Sequence, residues 1–279
     1  MGHHHHHHHV SGKNIGIAVV LNLLITVGQL AGGMLSGSMA LLTDALHNFS
    51  DVLSLLLSWF TNRLAKKPAD SQYTFGYKRA EILAAFINAF TLVFIALFLI
   101  VEAVKRFWHP EEIDSSWVIY FALASIVINI LSVVLLHNDA KHSLNMKSAY
   151  LHLLTDVMTS IAVLIGGLLM KYYQIYYIDS LLSVLIAGYL IYSSWGVIKH
   201  SLRILMQATP YEVDLDDIKN KIISLEGVQS VDEIHMWQLN EHEIYASFKI
   251  RFSEIDKSVL LQKIETLLPS HTFIHICHP

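Results

Sequence analysis

Ser38-Met-Ala-Leu-Leu-Thr-Asp44-Ala-Leu-His47-Asn-Phe-Ser-Asp51-Val-Leu-Ser-Leu-Leu-Leu-Ser-Trp59-Phe-Thr-Asn-Arg63-Leu64 is the stretch whose reading decides the fold. It exceeds the roughly 20 residues a helix needs to cross a hydrocarbon core. Its first half nevertheless carries ionisable groups. His47 and Asp51 are four apart, so a helix projects both from one face, one turn apart. Asp44, three before His47, lies on the same side. An ionised Asp at the centre of a span costs at least ~2.5–3.5 kcal/mol. Residues placed there need partners.

Five further apolar stretches flank this one, near 15–35, 80–107, 116–137, 146–172 and 178–198. Six spans are therefore expected. Backbone groups in lipid must bond internally, so the spans are helices; the period-2 alternation of a membrane barrel is absent. Composition agrees: 53% of the residues are hydrophobic and only 15% charged, with mean hydropathy +0.46, against about 25% charged in soluble domains. That excludes an ordinary soluble enzyme and a disordered chain. One cysteine, Cys277, excludes a disulfide scaffold. Net charge −4 gives no nucleic-acid signature. The run His3 to His9 behind Met1-Gly2 has the form of a purification tag and is set aside.

An even number of spans puts both termini on one side. One set of loops and ends carries Lys13, Arg63, Lys66, Lys67, Lys78, Arg79, Lys141, Lys147, Lys199 and Arg203; the other carries Lys105, Arg106 and Lys171. The positive-inside rule puts both termini in the cytoplasm of a multi-pass cell-membrane protein. No cleavable signal peptide is expected. The tail is 1–12, a six-span membrane domain 13–207, and a cytoplasmic domain 208–279. After Pro210 the composition becomes soluble. Helix 214–226, with Ile218, Ile222, Ile223 and Leu225 inward, ends at Gly227. Strand 228–239 carries Val231, Glu233, His235 and Trp237 on one face. Asn240-Glu241 is a hairpin tip, followed by strand 242–252 with Ile244, Ala246, Phe248, Ile250 and Phe252 on one face, helix 258–268 and strand 271–278. The order αββαβ predicts a small α+β sandwich with its helices on one face of the sheet.

The fifth span repeats the pattern of the second: His152-Leu-Leu-Thr-Asp156. Two such pairs on antiparallel spans supply two imidazole nitrogens and two carboxylate oxygens, a tetrahedral set suited to Zn²⁺. Mg²⁺ and Ca²⁺ prefer all-oxygen shells. The plainer alternative, buried polar residues bonding between helices, leaves the duplicated spacing unexplained. Asp44 reads either as an outer carboxylate orienting His47, as a proton-handling group, or as a helix-entry residue.

Ser38 to Asp51, the loop Lys67-Pro-Ala-Asp70, the following Thr74-Phe-Gly-Tyr77-Lys-Arg79-Ala-Glu81, and His152-x-x-x-Asp156 resemble the cation diffusion facilitator family, most closely its bacterial zinc branch. The resemblance covers essentially the whole chain after the tag. It implies a homodimer of six-helix subunits that exports Zn²⁺ from the cytoplasm in exchange for protons, with Cd²⁺ and Co²⁺ as further candidate substrates. It also implies a ferredoxin-like cytoplasmic domain that binds further zinc, a transport site of His47, Asp51, His152 and Asp156, and no organic cofactor. Some members hold a second metal in the loop after the second span with an Asp and two His. Here Asp70 remains, but Tyr73 and Tyr77 stand at the histidine positions, so that site is expected to be absent or very weak. Many members pair a basic residue at the Arg79 position with an acidic one ahead of the cytoplasmic domain. Leu205-Met-Gln207-Ala-Thr-Pro210 offers no carboxylate.

His235, His242, His271, His275 and His278 crowd the last 45 residues. Alternation puts His271, Phe273, His275 and Cys277 on one face of the last strand, with His278 opposite. A cytoplasmic zinc site is expected from His235, His242 and His275, with Cys277 or His278. The alternative is a set of surface histidines. His109, His137, His142 and His200 read as interfacial. Trp59, Trp108, Trp117, Trp195, Tyr172, Tyr173, Tyr176 and Tyr177 read as aromatic belts. Glu102 and Arg106 read as a snorkelling pair. Gly28, Gly32, Gly33 and Gly37 read as small residues for close helix packing.

Three rivals to a carrier stay open at this stage. An intramembrane metallo-hydrolase would want an open zinc position and a His-Glu-x-x-His, which the chain lacks. A channel would want weaker ligands. A non-transporting zinc sensor would leave the paired motifs unused. No Gly-x-x-x-x-Gly-Lys motif supports ATP drive.

Overall fold

A computed structural model describes residues 12–137, 144–253 and 256–277. Six long helices come first: α1 Gly12–Ser36, α2 Met39–Ala65, α3 Ala80–Trp108, α4 Ser115–Leu136, α5 Leu144–Tyr173 and α6 Tyr177–Leu205. They follow the apolar stretches closely. The exception is α6, which continues past the expected end through Lys199, His200 and Arg203. Five of the six (α1 and α3 to α6) contain segments long and apolar enough to cross a membrane. The remaining helix, α2, is the one with Asp44, His47 and Asp51.

The chain divides into two compact units: Met1–Leu56 with Asn88–Trp195, and Leu57–Ile87 with Gly196–Pro279. The first unit is turned inside out relative to a water-soluble protein. Leu24, Phe94, Phe98, Val127 and Val134 are exposed, while Gln29, Asp44, Asn48, Ser125, Asn129, Asp156 and Ser160 are buried. Apolar surface is free to face outward where the solvent is hydrocarbon, and polar groups then collect inside, where they can bond to each other. One packed layer joins Ala40 and Leu41 of α2 with Val118 and Ala122 of α4, Val163 and Met170 of α5 and Ile186 of α6.

Glycines set the approach of α1. A Cβ on Gly32 would lie 2.1 Å from the Phe121 ring of α4, and one on Gly33 would lie 2.7 Å from Leu42. Gly37 takes φ +74° in the turn between α1 and α2, a conformation that costs an L-residue but not glycine. Arg106 Nη1 donates to the Gly37 carbonyl (2.7 Å) and its Nε lies 3.5 Å from Glu102, so the expected pair is also a strap over that turn.

The second unit contains α7 Leu215–Ile223, β1 Val228–Gln238, β2 Ile244–Phe252, α8 Lys257–Glu265 and β3 Thr272–Cys277. The sheet order is β1-β2-β3, with β1 and β2 antiparallel and β2 and β3 parallel. Asp214 and Asp256 cap the two helices. The Ser258 hydroxyl and amide on Asp256 hold its carboxyl below the usual range. Ile218 and Ile222 of α7 and Leu260 and Ile264 of α8 share one core with Ala246, Phe248 and Ile250 of β2. Both helices therefore cover the same face, as the order implies. Ile223 faces outward instead of inward.

The expected facing of β1 is corrected by a bulge. Val231 pairs with Ile250 and Glu233 with Lys249, leaving Asp232 over. The extra residue reverses the alternation. Val231, Ile234 and Met236 face the core; His235 is exposed. Val231 thus does not share a face with Glu233, His235 and Trp237.

A candidate metal centre between α2 and α5

His47 and Asp51 project from α2, His152 and Asp156 from α5. His47 Nε2 lies 3.4 Å from Asp156 Oδ1, and His152 Nε2 lies 3.1 Å from Asp51 Oδ2. The first residue of each pair meets the second of the other, which is what antiparallel helices produce. Within each helix the pairs are looser, 3.7 Å for His47 with Asp51 and 4.0 Å for His152 with Asp156. One ligand atom from each residue fits within a 4.8 Å span. Ligands about 2.0 Å from a tetrahedral zinc stand about 3.3 Å from one another, so the four groups need only small adjustments.

The donor chemistry points the same way. His47 Nδ1 and Nε2, Asp51 Oδ2 and both carboxylate oxygens of Asp156 are buried without a hydrogen-bond partner in the structure. Buried polar atoms are nearly always partnered, so a cation fits here as the partner of the carboxylate oxygens and of one imidazole nitrogen. Exposure is graded across the site. The side chains of Asp156 and His47 are 1% and 7% exposed, those of Asp51 and His152 26% and 42%. The site therefore opens on the side of Asp51 and His152 and is closed on the other.

Asp44 is fully buried and makes no hydrogen bond to His47. Its carboxylate accepts from Gln29 Nε2 of α1 (2.6 Å), Thr159 Oγ1 of α5 (3.0 Å) and, at 3.5 Å, Ser160 Oγ. Neither direct orientation of His47 nor an interfacial entry position describes it. Sequence reasoning missed Asp179 at the start of α6. It accepts from the Met39 amide (2.7 Å), the Ala40 amide (3.3 Å) and the Ser38 hydroxyl. It thus caps α2 from another helix. An acidic residue opening an otherwise apolar span was the available signal.

The remaining expected sites fare differently. Asp70 Oδ1 accepts from the amides of Gln72 (2.8 Å) and Tyr73 (2.7 Å) and holds a turn; the Tyr73 and Tyr77 rings meet tilted, 4.6 Å between centroids. In the sheet, His235 pairs with Ser247 and Ser247 with His275. The two histidines share one row but sit two strands apart, about 10 Å at the backbone. Cys277 is one row beyond and His242 is at the hairpin tip. Among the described residues of one chain, the only gathered metal-type group is the α2–α5 set; the residues of the C-terminal sheet do not converge. His278 and His142 lie outside the described residues. His109, His137 and His200 are exposed, as are Trp59, Trp108, Trp117, Trp195, Tyr172, Tyr173 and Tyr177, but Tyr176 packs against the core.

Residues 15–206 match the model of the cation efflux transmembrane domain. The chain is 34% identical over 285 residues to the cadmium, cobalt and zinc/H(+)-K(+) antiporter of Bacillus velezensis, covering 99% of this chain and 90% of the relative. It is 34% identical to the metal cation efflux system protein CzcD of Cupriavidus metallidurans, covering 85% of this chain and 75% of the relative. It is 31% identical to the zinc transporter ZitB of Escherichia coli, covering 87% and 78%. The chain belongs to the cation efflux, or cation diffusion facilitator, family, and is a membrane transporter, not an enzyme.

Proposed function

We propose that this protein exports Zn²⁺ from the cytoplasm in exchange for protons, carrying the ion on His47, Asp51, His152 and Asp156 by alternating access. The observation that carries the reading is the crossed pairing of His47 with Asp156 and Asp51 with His152. Four strong ligands suit carriage, since a catalytic zinc keeps a position open. All six long helices span the membrane in this reading, α2 included, because its polar face is turned to the other helices. Both termini are cytoplasmic, by the excess of Lys and Arg on that side.

Zinc needs neutral imidazole and ionised carboxylate, so loading displaces protons. Asp51 and His152 lie nearer the cytoplasmic end of their helices, so the open side of the site faces the cytoplasm, ready to load. Helix rocking turns the site outward. A more acidic exterior then favours protons over the ion at these ligands, and the ion leaves. The αββαβ domain is ferredoxin-like and cytoplasmic and joins two copies into a homodimer. Zinc at His235, His242, His275 or Cys277, with His278, then draws ligands from a second copy, since one chain holds His235, His242, His275 and Cys277 apart. A metal so bound stabilises the closed pair by mass action.

The test is zinc flux into proteoliposomes with an acidic lumen, for the intact protein and Asp51→Ala. Faster uptake under a pH gradient, abolished by the substitution in a folded protein, supports the reading. Flux unaffected by Asp51→Ala overturns it. The Bacillus relative's name includes potassium, so a potassium gradient is imposed separately.

A further inference from the structure

One turn beyond the closed side of the site lies a second arrangement of buried polar groups. It begins at Asp44, which precedes His47 by three residues, and at Thr159 and Ser160, which follow Asp156 by three and four. Because α2 and α5 run antiparallel, these residues form a layer on the side away from Asp51 and His152. Asp44 takes hydrogen bonds from Gln29 (2.6 Å) and Thr159 (3.0 Å). Gln29 Oε1 accepts from Asn48 Nδ2 (2.9 Å). Ser160 bonds Ser125 of α4 (2.8 Å). One carboxylate therefore ties α1, α2 and α5 together at the point where the site is shut, and α4 joins through Ser160.

We infer that Asp44 is the outward seal of the transport site: its hydrogen bonds from α1 and α5 hold the exit closed and must part for the ion to leave. This rests on the export reading above, which sets the direction of exit. Its position separates a seal from ordinary helix glue: it lies one turn outside the buried ligands His47 and Asp156. Parting α2 from α5 to release an ion from them breaks the Thr159 bond. The opened seal also leaves a carboxylate and hydroxyls along the exit, where an apolar plug would oppose passage of a dication.

The experiment uses the full chain in liposomes with Cys277→Ser and a reporter Val163→Cys. Val163 lies four residues beyond Thr159 and is 1% exposed. A membrane-impermeant maleimide is applied from the outer side. Thr159→Val and Asp44→Asn are each expected to raise the labelling rate about tenfold, the population shift that one lost hydrogen bond to a charged group gives. Zinc affinity, measured by calorimetry, is expected to stay within about twofold, since neither residue is a ligand. Unchanged labelling in a folded Thr159→Val protein overturns the proposal, and so does a loss of zinc affinity without a labelling change. If Asp44→Asn does not fold, Thr159→Val carries the test alone. Asp51→Ala run alongside reports on the transport site separately: retained zinc affinity there sinks the export reading and leaves the labelling result standing.

Discussion

His152 Nε2 is closer to Asp51 Oδ2 on the neighbouring helix (3.1 Å) than to Asp156 Oδ2 one turn along its own (4.0 Å). Each His-x-x-x-Asp motif is thus half of two cross-helix pairs, not a unit in itself. Removing one carboxylate should cripple both. Asp156→Asn is expected to lower zinc affinity by more than hundredfold, beyond the about 10–100-fold typical of outer partners of a metal ligand. Calorimetric titration of the solubilised protein measures it. An affinity loss under tenfold would mean that Asp156 does not hold the ion.

Lys78 Nζ reaches both oxygens of Glu243, at 2.6 and 2.7 Å. Beside it, the Phe75 ring meets Tyr245 edge-on at 5.2 Å. The segment after α2 is thereby fastened to the β1–β2 hairpin. Burial and the Glu243 charge hold the Tyr245 phenol above its usual range. Partly exposed ion pairs contribute about 0.2–1 kcal/mol. A double-mutant cycle with Lys78→Met and Glu243→Gln, read by thermal unfolding, should return a coupling in that range. The charge-swapped pair Lys78→Glu with Glu243→Lys should recover most of the loss. Additive single effects would show that the contact is not energetic.

Much of this fold is written in local pattern. The apolar stretches marked the six long helices to within a few residues, the C-terminal end of α6 excepted, and the repeated His-x-x-x-Asp marked the four residues that the structure brings together. What local pattern cannot show is a partner far along the chain. Asp44 looks the same whether it faces His47 or Gln29, because cross-helix register is set by packing. The bulge at Asp232 is also silent: Val231 and Glu233 alternate correctly in the sequence, and one unpaired residue then reverses every side chain after it. The Lys78–Glu243 pair is equally silent, because its two residues lie 165 positions apart in the chain.

Gly32 has no room for a side chain. With the Phe121 ring 2.1 Å from where its Cβ would be, Gly32→Ala forces α1 away from α4 or the ring out of its rotamer. Overpacking of this kind costs about 1–3 kcal/mol. Phe121→Leu should relieve most of that cost in the double variant, while being mildly destabilising alone. Thermal unfolding in detergent measures all three. If Gly32→Ala melts with the parent, the close approach of α1 and α4 is not a constraint on the fold.

Asp179 caps α2 from the start of α6, and α2 carries half of the candidate metal site. Its oxygens serve two backbone amides and a hydroxyl that no residue of α2 itself can serve, since the first amides of a helix have no intrahelical acceptor. Asp179→Ala leaves these buried donors unpaired at a cost of about 1–3 kcal/mol. Asp179→Asn keeps one acceptor oxygen and should lose less. The effect on function follows from position. Fraying at Met39 and Ala40 lies about two turns from His47, so zinc affinity should fall only modestly while unfolding temperature drops clearly. Parallel calorimetry and thermal unfolding of the two variants separate the effects. A large affinity loss with an unchanged unfolding temperature would place Asp179 in ion handling and not in helix capping.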